Sequence, residues 1–365
     1  MSSNRVVGLG GAYIAVAEGA DGHLANPASF TTRYPYTRHD DFDWDFAFSW
    51  LNVGGADQDI DQSGQSGFDR ATLLDAGLHL AFNRHGYGLH LRVHNYFLST
   101  FDEQAQTTRP AKFSQVFGSF GYAYSALDGE LTLGGALTVV TSEVGPETVD
   151  PDVPEDDQVY KVQGGGLLLG LLFAPHDTPY RMGATLRTEI IGSDVTGRSA
   201  VPGVPTPARI IAPMQLGLGF AWMLGPRPFN PKPDFGDWVE FGYAKPDPTL
   251  PRRYVLLAAD AVFTGPADDD TVGTQSLLAG RPRAAGQAGT WSLRAGAESE
   301  LWVDVLRLRA GTYFEPDRHA GGGRWHGTGG LDLHLGELIY DWKLSSAVDG
   351  TVGYFNWGLG LGFWH

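Results

Sequence analysis

Side chains of an extended strand point alternately to its two faces, and several stretches of this chain sort apolar from polar residues with that period of two. In Asp41–Trp50, Phe42, Trp44, Phe46, Phe48 and Trp50 fall on one face and Asp41, Asp43, Asp45, Ala47 and Ser49 on the other. Leu74, Ala76, Leu78, Leu80 and Phe82 oppose Asp75, Gly77, His79 and Asn83, and Tyr87, Leu89, Leu91 and Val93 oppose Gly88, His90, Arg92 and His94. A tight turn, Asn83-Arg84-His85-Gly86, separates these two strands. Further strands are expected at Phe113–Ser125, Glu130–Thr141, Val159–Phe173, Tyr180–Ile190, Pro213–Leu224, Tyr254–Thr264, Trp291–Glu300, Val305–Glu315, Trp325–Leu335, Leu338–Ser346 and Gly353–Trp364. About fourteen strands result, most longer than the ~5–6 residues usual in soluble sheets and close to the ~9–11 that a tilted strand needs to cross a bilayer.

The connections alternate in length. Val53–Arg70, Leu98–Lys112, Ser142–Gln158, Gly192–Ala212, Gly265–Thr290, Pro316–Arg324 and Ala347–Thr351 are mostly long and polar. Asn83–Gly86, Ala126–Gly129, Ala174–Pro179, Leu301–Asp304 and Gly336-Glu337 are short. One smooth rim and one ragged rim is the pattern of a membrane barrel with short turns on one side and long loops on the other. Gly225–Arg253 breaks the rule, and Trp238–Tyr243 within it reads as a possible extra strand. In lipid every backbone amide needs a partner, and only a closed barrel has no edge, so the apolar faces should point outward. Trp50, Tyr87, Tyr96, Tyr124, Trp222, Trp291, Tyr340 and Trp357 fall near strand ends, where interfacial aromatics belong. A soluble sandwich would share the alternation but not the loop asymmetry.

Composition agrees. In 365 residues there are 50 glycines, about twice the usual ~7%, with 12% aromatic and only 19% charged residues. The longest apolar run, Leu167–Ala174, is far short of the ~20 residues of a spanning helix. A net charge of −16 disfavours nucleic acid as a partner. With no cysteine there is no disulfide framework, thiolate metal site or cysteine nucleophile. Met1–Arg5 leads straight into glycine-rich sequence rather than a basic n-region and apolar core, so the chain either stays in the cytoplasm or is a mature segment behind a start methionine.

The most distinctive text precedes the first strand: GLGGAYIAVAEGADGHLANPASF, Gly8–Phe30. Gly8, Gly10, Gly11, Ala12 and Tyr13, the Ala15-Val16-Ala17 step and the Asn26-Pro27-Ala28 triplet make it resemble the N-terminal plug of the long-chain fatty-acid transporter (FadL) family of outer-membrane channels. Ser292–Glu298, Leu306–Pro316 and His326–Leu333 resemble that family's closing strands. Where the family commonly has Asp-Asp-Ala-Ser before its triplet, this chain has Glu18-Gly19-Ala20-Asp21, and it ends Phe363-Trp364-His365 rather than on an aromatic. The resemblance implies an all-β transmembrane antiparallel barrel of about fourteen strands (41–365) in the bacterial outer membrane, with residues 1–40 as a plug in its lumen. It also implies a family kink in the third strand that opens a lateral exit, but Leu89–Phe97 contains no glycine or proline to cause one.

Inward faces collect His79, His90, Arg92, His94, Arg187, Glu189, Arg294, Arg307, Arg309, Asp332, His334 and Asp341. His79, His90, Arg92, His94, Arg187, Arg294, Arg307 and Arg309 are the candidate ligand-binding residues of the lumen. His90 and His94 are about 13 Å apart along a strand, too far to share a metal. Arg307 and Arg309 could hold a carboxylate ligand or pair with Glu298 and Asp332 in a salt-bridged wall. Asp268–Asp270 and Glu147–Asp157 read as solvated loops. No Gly-x-Ser-x-Gly elbow, Walker loop or His-Glu-x-x-His motif occurs, and Gly164–Gly166 and Gly358–Gly362 lie within strands, so no enzyme, metal or cofactor is expected. The resemblance to the FadL family implies passive uptake of hydrophobic molecules such as long-chain fatty acids, with the lipid bilayer and an apolar ligand or detergent as partners. The alternative is a barrel that anchors a protein partner through its external loops.

Overall fold

The computed structural model describes residues 3–34, 42–53, 59, 70–102, 106–149, 151–152, 154, 159–192, 194–196, 209–231, 250–267, 272–273, 286, 288–318 and 322–364. Fourteen long strands follow one another: β1 (Phe42–Val53), β2 (Arg70–Phe82), β3 (His85–Asp102), β4 (Thr107–Ala126), β5 (Leu131–Pro146), β6 (Tyr160–Phe173), β7 (Tyr180–Arg187), β8 (Gln215–Leu224), β9 (Val255–Thr264), β10 (Thr290–Trp302), β11 (Leu306–Pro316), β12 (Gly323–Leu338), β13 (Tyr340–Thr351) and β14 (Tyr354–Phe363). Each pairs antiparallel with its neighbour, and β1 closes on β14 from Ala47↔Gly362 to Val53↔Asn356. The sheet is a closed transmembrane barrel. The Trp238–Tyr243 stretch lies outside the described residues.

Burial follows the period-two pattern. Leu89 and Leu91 are exposed beside buried His90, and Leu257 is exposed between buried Leu256 and Ala258. At the short-turn rim Phe42, Phe82, Tyr87, Tyr122 and Tyr124 form a run of exposed aromatic contacts, and Tyr180, Phe220 and Trp222 form another. Such an exterior suits hydrocarbon flanked by interfacial rings.

Several boundaries differ from the sequence reading. Leu98–Lys112 is not a loop: β3 and β4 run on in register to Asp102↔Thr107. At 20 residues β4 is about twice the ~9–11 that cross a bilayer, so this part of the wall projects beyond lipid. There both faces meet water and alternation fades from the letters. Likewise β13 continues to Thr351, and the turn expected at Gly336-Glu337 falls at Ile339, while Gly336 (φ 104°) sits at a register shift inside β12. β3 shows no register shift against β2 or β4, so it carries no kink.

The irregular strand is β7. It ends at Arg187, not Ile190, and Glu189 is exposed rather than inward. Thr188 still exchanges hydrogen bonds with Leu167, through its amide and its hydroxyl (2.9 Å each). Ile190–Gly192 then pairs with Ile210–Ala212, and Asp194–Thr196 returns to β6 at Lys161–Gln163. Residues 188–192 lie against the inner face of β6, where a Cβ on Gly166 would meet Ile190 Cγ1 at 2.7 Å and one on Gly164 would meet the Ile191 carbonyl at 2.7 Å. The glycines make room for a detour through which β7 leaves the wall.

Candidate functional site

Residues 3–34 are buried almost throughout and pack on inward side chains around the circumference. Val7 meets Leu51, Leu73 and Ala347; Leu9 and Tyr13 join Ala221, Tyr254 and Leu256; Phe30 meets Ala123, Ala136 and Leu168. A helical turn, α1 (Asn4–Gly8), is capped by the Ser3 hydroxyl, which accepts from the Val6 amide. Gly10, at φ 64°, lies so close to β11 that a Cβ on Gly311 would come within 2.4 Å of its nitrogen. Small residues on both sides let two backbones touch.

Within the Asn26-Pro27-Ala28 triplet, Asn26 Oδ1 accepts from the Ala28 amide (3.0 Å), capping a single turn started by Pro27. Its Nδ2 donates to the carbonyls of Ile14 (2.8 Å) and of Leu171 in β6 (3.1 Å). The triplet therefore ties the segment both to itself and to the wall.

Charge reinforces the attachment. Arg5 binds Glu298 of β10 through Nε (2.9 Å) and Nη2 (2.8 Å), and it binds Glu18 (2.9 Å) and the Tyr13 hydroxyl (2.9 Å). Glu18 also accepts from Arg181 of β7 (2.8 Å), whose guanidinium lies over Phe229 and donates to Asn230 (2.7 Å). Arg309 joins Glu298 to Asp332, and Lys343 joins Asp21 of the segment (3.1 Å). Isolated, any of these buried charges would carry a large desolvation cost; here each has an ionic partner. Arg309 is thus engaged in the wall. Arg307 stacks over Tyr34 and Trp364, with Glu300 at 4.0 Å.

The remaining candidates divide. His79 and His90 meet a histidine of the segment, His23: its Nδ1 lies 3.2 Å from His79 Nε2, its Nε2 3.0 Å from the Ser119 hydroxyl, and its ring 5.1 Å from that of His90. Asp75 accepts from His90 (2.8 Å) and Arg92 (2.9 Å). His94 packs edge-on against Tyr96 and Phe117. Among the described residues, Arg187 donates only to the Pro213 carbonyl (3.4 Å) and Arg294 only to that of Gly11 (3.3 Å). The Nε of each lacks a partner, and among the described residues neither makes an ion pair. Arg187 feels the charges of both Arg92 and Arg294. Arg187 and Arg294 thus keep donors to spare, with the Asp260 carboxylate opposite Arg294 in the β9–β10 ladder.

Nearby, Gln115, Phe117, Val140, Ser142, Ile190 and Ile210 line a cavity of about 50 Å³. A cavity of ~150 Å³ holds benzene, so this one is too small for a ring or an acyl chain as the side chains stand.

None of Arg5, Glu18, Asp21, His23, Arg181 and Lys343 was among the candidate site residues of the sequence, where Glu18 and Asp21 stood only as departures from the family pattern. Four of them are the charged or titratable residues of an otherwise small and apolar stretch, and that was the available signal.

No family model and no characterised protein matches the sequence. Solved structures do match. A FadL homologue from Pseudomonas aeruginosa superposes with a TM-score of 0.56 at 13% identity, covering 99% of this chain and 98% of that one. The chain has the fold of the FadL-type channels. A monoaromatic hydrocarbon channel, TodX, as a deltaS2S3 mutant, gives 0.57 at 13% identity over 99% and 98%, and another, CymD, gives 0.50 at 13% over 99% and 96%. The likeness spans the leading segment as well as the barrel.

Proposed function

We propose that this chain belongs with the FadL-type channels and passes small hydrophobic molecules across the bacterial outer membrane, with residues 1–40 as a plug and 41–365 as the barrel. Among such molecules it favours amphiphiles with an anionic head over neutral hydrocarbons. The observation that carries this preference is Arg187, whose guanidinium makes no ion pair among the described residues and keeps an unpartnered Nε, with Arg294 inward within reach of its charge and the Asp260 carboxylate opposite Arg294. Burial of the tail contributes about 0.8 kcal/mol per methylene, and a hydrogen bond to a charged group about 1.5–3 kcal/mol. The detour of β7 brings the cavity next to Gly164–Gly166, which lies in β6 between the part paired with β7 (Leu168–Phe173) and the part paired with Asp194–Thr196 (Lys161–Gln163). A ligand leaving sideways toward lipid does so there rather than at β3.

The test is binding of a medium-chain carboxylate and of a neutral aromatic hydrocarbon to purified protein in detergent. An Arg187→Ala/Arg294→Ala double variant should bind the carboxylate at least tenfold more weakly and the hydrocarbon unchanged. Equal losses for both ligands would remove the head-group preference. A tightly bound protein partner with a lumen that takes neither ligand would remove the channel reading itself.

A further inference from the structure

The leading segment is held by two chemistries. Its first half, Arg5 to Glu18, is fixed by guanidinium–carboxylate pairs with Glu298 and Arg181. Arginine keeps its charge at any pH the protein meets. The second half, Ala20 to Arg33, is centred on His23, whose ring is wholly enclosed, as is that of His79; His90 is 2% exposed. Both His23 nitrogens are committed, one to His79 and one to Ser119, and neither to a carboxylate.

The carboxylates around this ring already accept hydrogen bonds from other groups. On β1, Asp45 accepts from the Ala20 amide (2.6 Å) and Asp43 holds Arg33 of the segment (2.8 Å). On β2 and β3, Asp75 is shared between His90 and Arg92. On β4, Ser119 is neutral and also accepts from Thr138 of β5 (3.4 Å). Asp21 is taken by Lys343 of β13. An added proton on His23 therefore meets the charge of Arg92, while the carboxylate that faces the cluster, Asp45, stands across the ladder from His79 and makes no bond to His23.

We propose that the His23–His79 pair, packed against His90, is a proton-operated catch: neutral, it docks residues 20–33 against β2–β5; protonated, it lets that half loosen while the Arg5–Glu18 half stays in place. The catch stands on the packing of the segment and holds whichever molecule the channel carries. The ring bonds Ser119 on β4, two residues along that strand from Phe117 in the wall of the small cavity.

The sign follows from the ring's surroundings. Burial first, then His79, His90 and Arg92, push the His23 imidazole well below the usual histidine range. A depressed histidine favours the docked state fully above the ordinary value of ~6.5, and that advantage is lost as pH falls below it, by up to tenfold per unit. Between pH 7.5 and 5 the opening equilibrium of the second half should rise by up to about 30-fold per histidine.

The experiment is amide hydrogen exchange of the detergent-solubilised protein from pH 7.5 to 5, corrected for the intrinsic rate. Protection at Gly22–Thr32 should fall at least tenfold while Val7–Ala12 stays unchanged. The uncharged variants His23→Gln and His79→Gln, made separately in case one perturbs docking, should flatten the pH dependence. Constant protection at Gly22–Thr32, equal loss in both halves, or an undiminished pH dependence in both variants would each overturn the catch, and none of these would bear on whether the barrel transports apolar molecules.

Discussion

Replacing Glu18 by glutamine isolates the ionic half of the attachment. Its carboxylate is 2% exposed and lies 2.9 Å from Arg5 and 2.8 Å from Arg181. After the change Arg5 keeps Glu298, but Arg181 keeps only Asn230 and the carbonyls of Val16 and Phe229, which are polar and uncharged. Breaking a buried pair from one side costs about 3–5 kcal/mol, because the other charge stays behind. The retained amide oxygen offsets part of this, so the low end, ~3 kcal/mol, applies, or roughly 150-fold in the docking equilibrium. The barrel's own ladders are untouched, so its melting temperature should not move. Hydrogen exchange at Val7, Leu9, Gly10 and Gly11, whose amides donate within the segment, reads the docking equilibrium directly. A second change, Arg181→Met, should restore part of the lost protection by removing the stranded cation. Protection within threefold of the parent in Glu18→Gln would refute the reasoning.

Two further outcomes follow. Gly166→Val places a Cβ where Ile190 Cγ1 would be 2.7 Å away, so it should push residues 188–192 off β6 and raise permeation of apolar solutes in liposomes; unchanged permeation would dissociate that detour from the pathway. Leu218→Arg, on an outward position that is 55% exposed, should cost about 2–4 kcal/mol of folding into bilayers, read by denaturant titration in vesicles, if it sits near the midplane.

The barrel was legible because lipid imposes one rule on every strand: apolar residues out, small and polar residues in, every second position. Where the wall leaves that environment the rule lapses, which is why Leu98–Lys112 and Ala347–Thr351 read as loops yet extend strands. The exit of β7 from the wall was hidden for a different reason. Thr188 and Glu189 are unremarkable in sequence; the cause lies on the partner, in Gly164 and Gly166, and a glycine triplet inside a strand does not reveal what lies across from it. The segment's attachments were least legible. Arg5 and Glu298 are 293 residues apart and His23 and His79 are 56 apart, so only the closed fold brings them together. A period-two pattern assigns a side chain to a face and leaves its partner open, and so Arg187 and Arg309 looked equivalent until one proved ion-paired and the other not.

The account rests on which medium each face of the wall meets, and a spin-label scan of Gln215–Leu224 in bilayers measures this directly; with no native cysteine, each site can be labelled alone. Labels at 216, 218, 220 and 222 should show high contact with dissolved oxygen and little with a water-soluble nickel complex. Labels at 217, 219 and 221 should be shielded from both. Strong nickel contact at the even positions, or no alternation at all, would contradict the account.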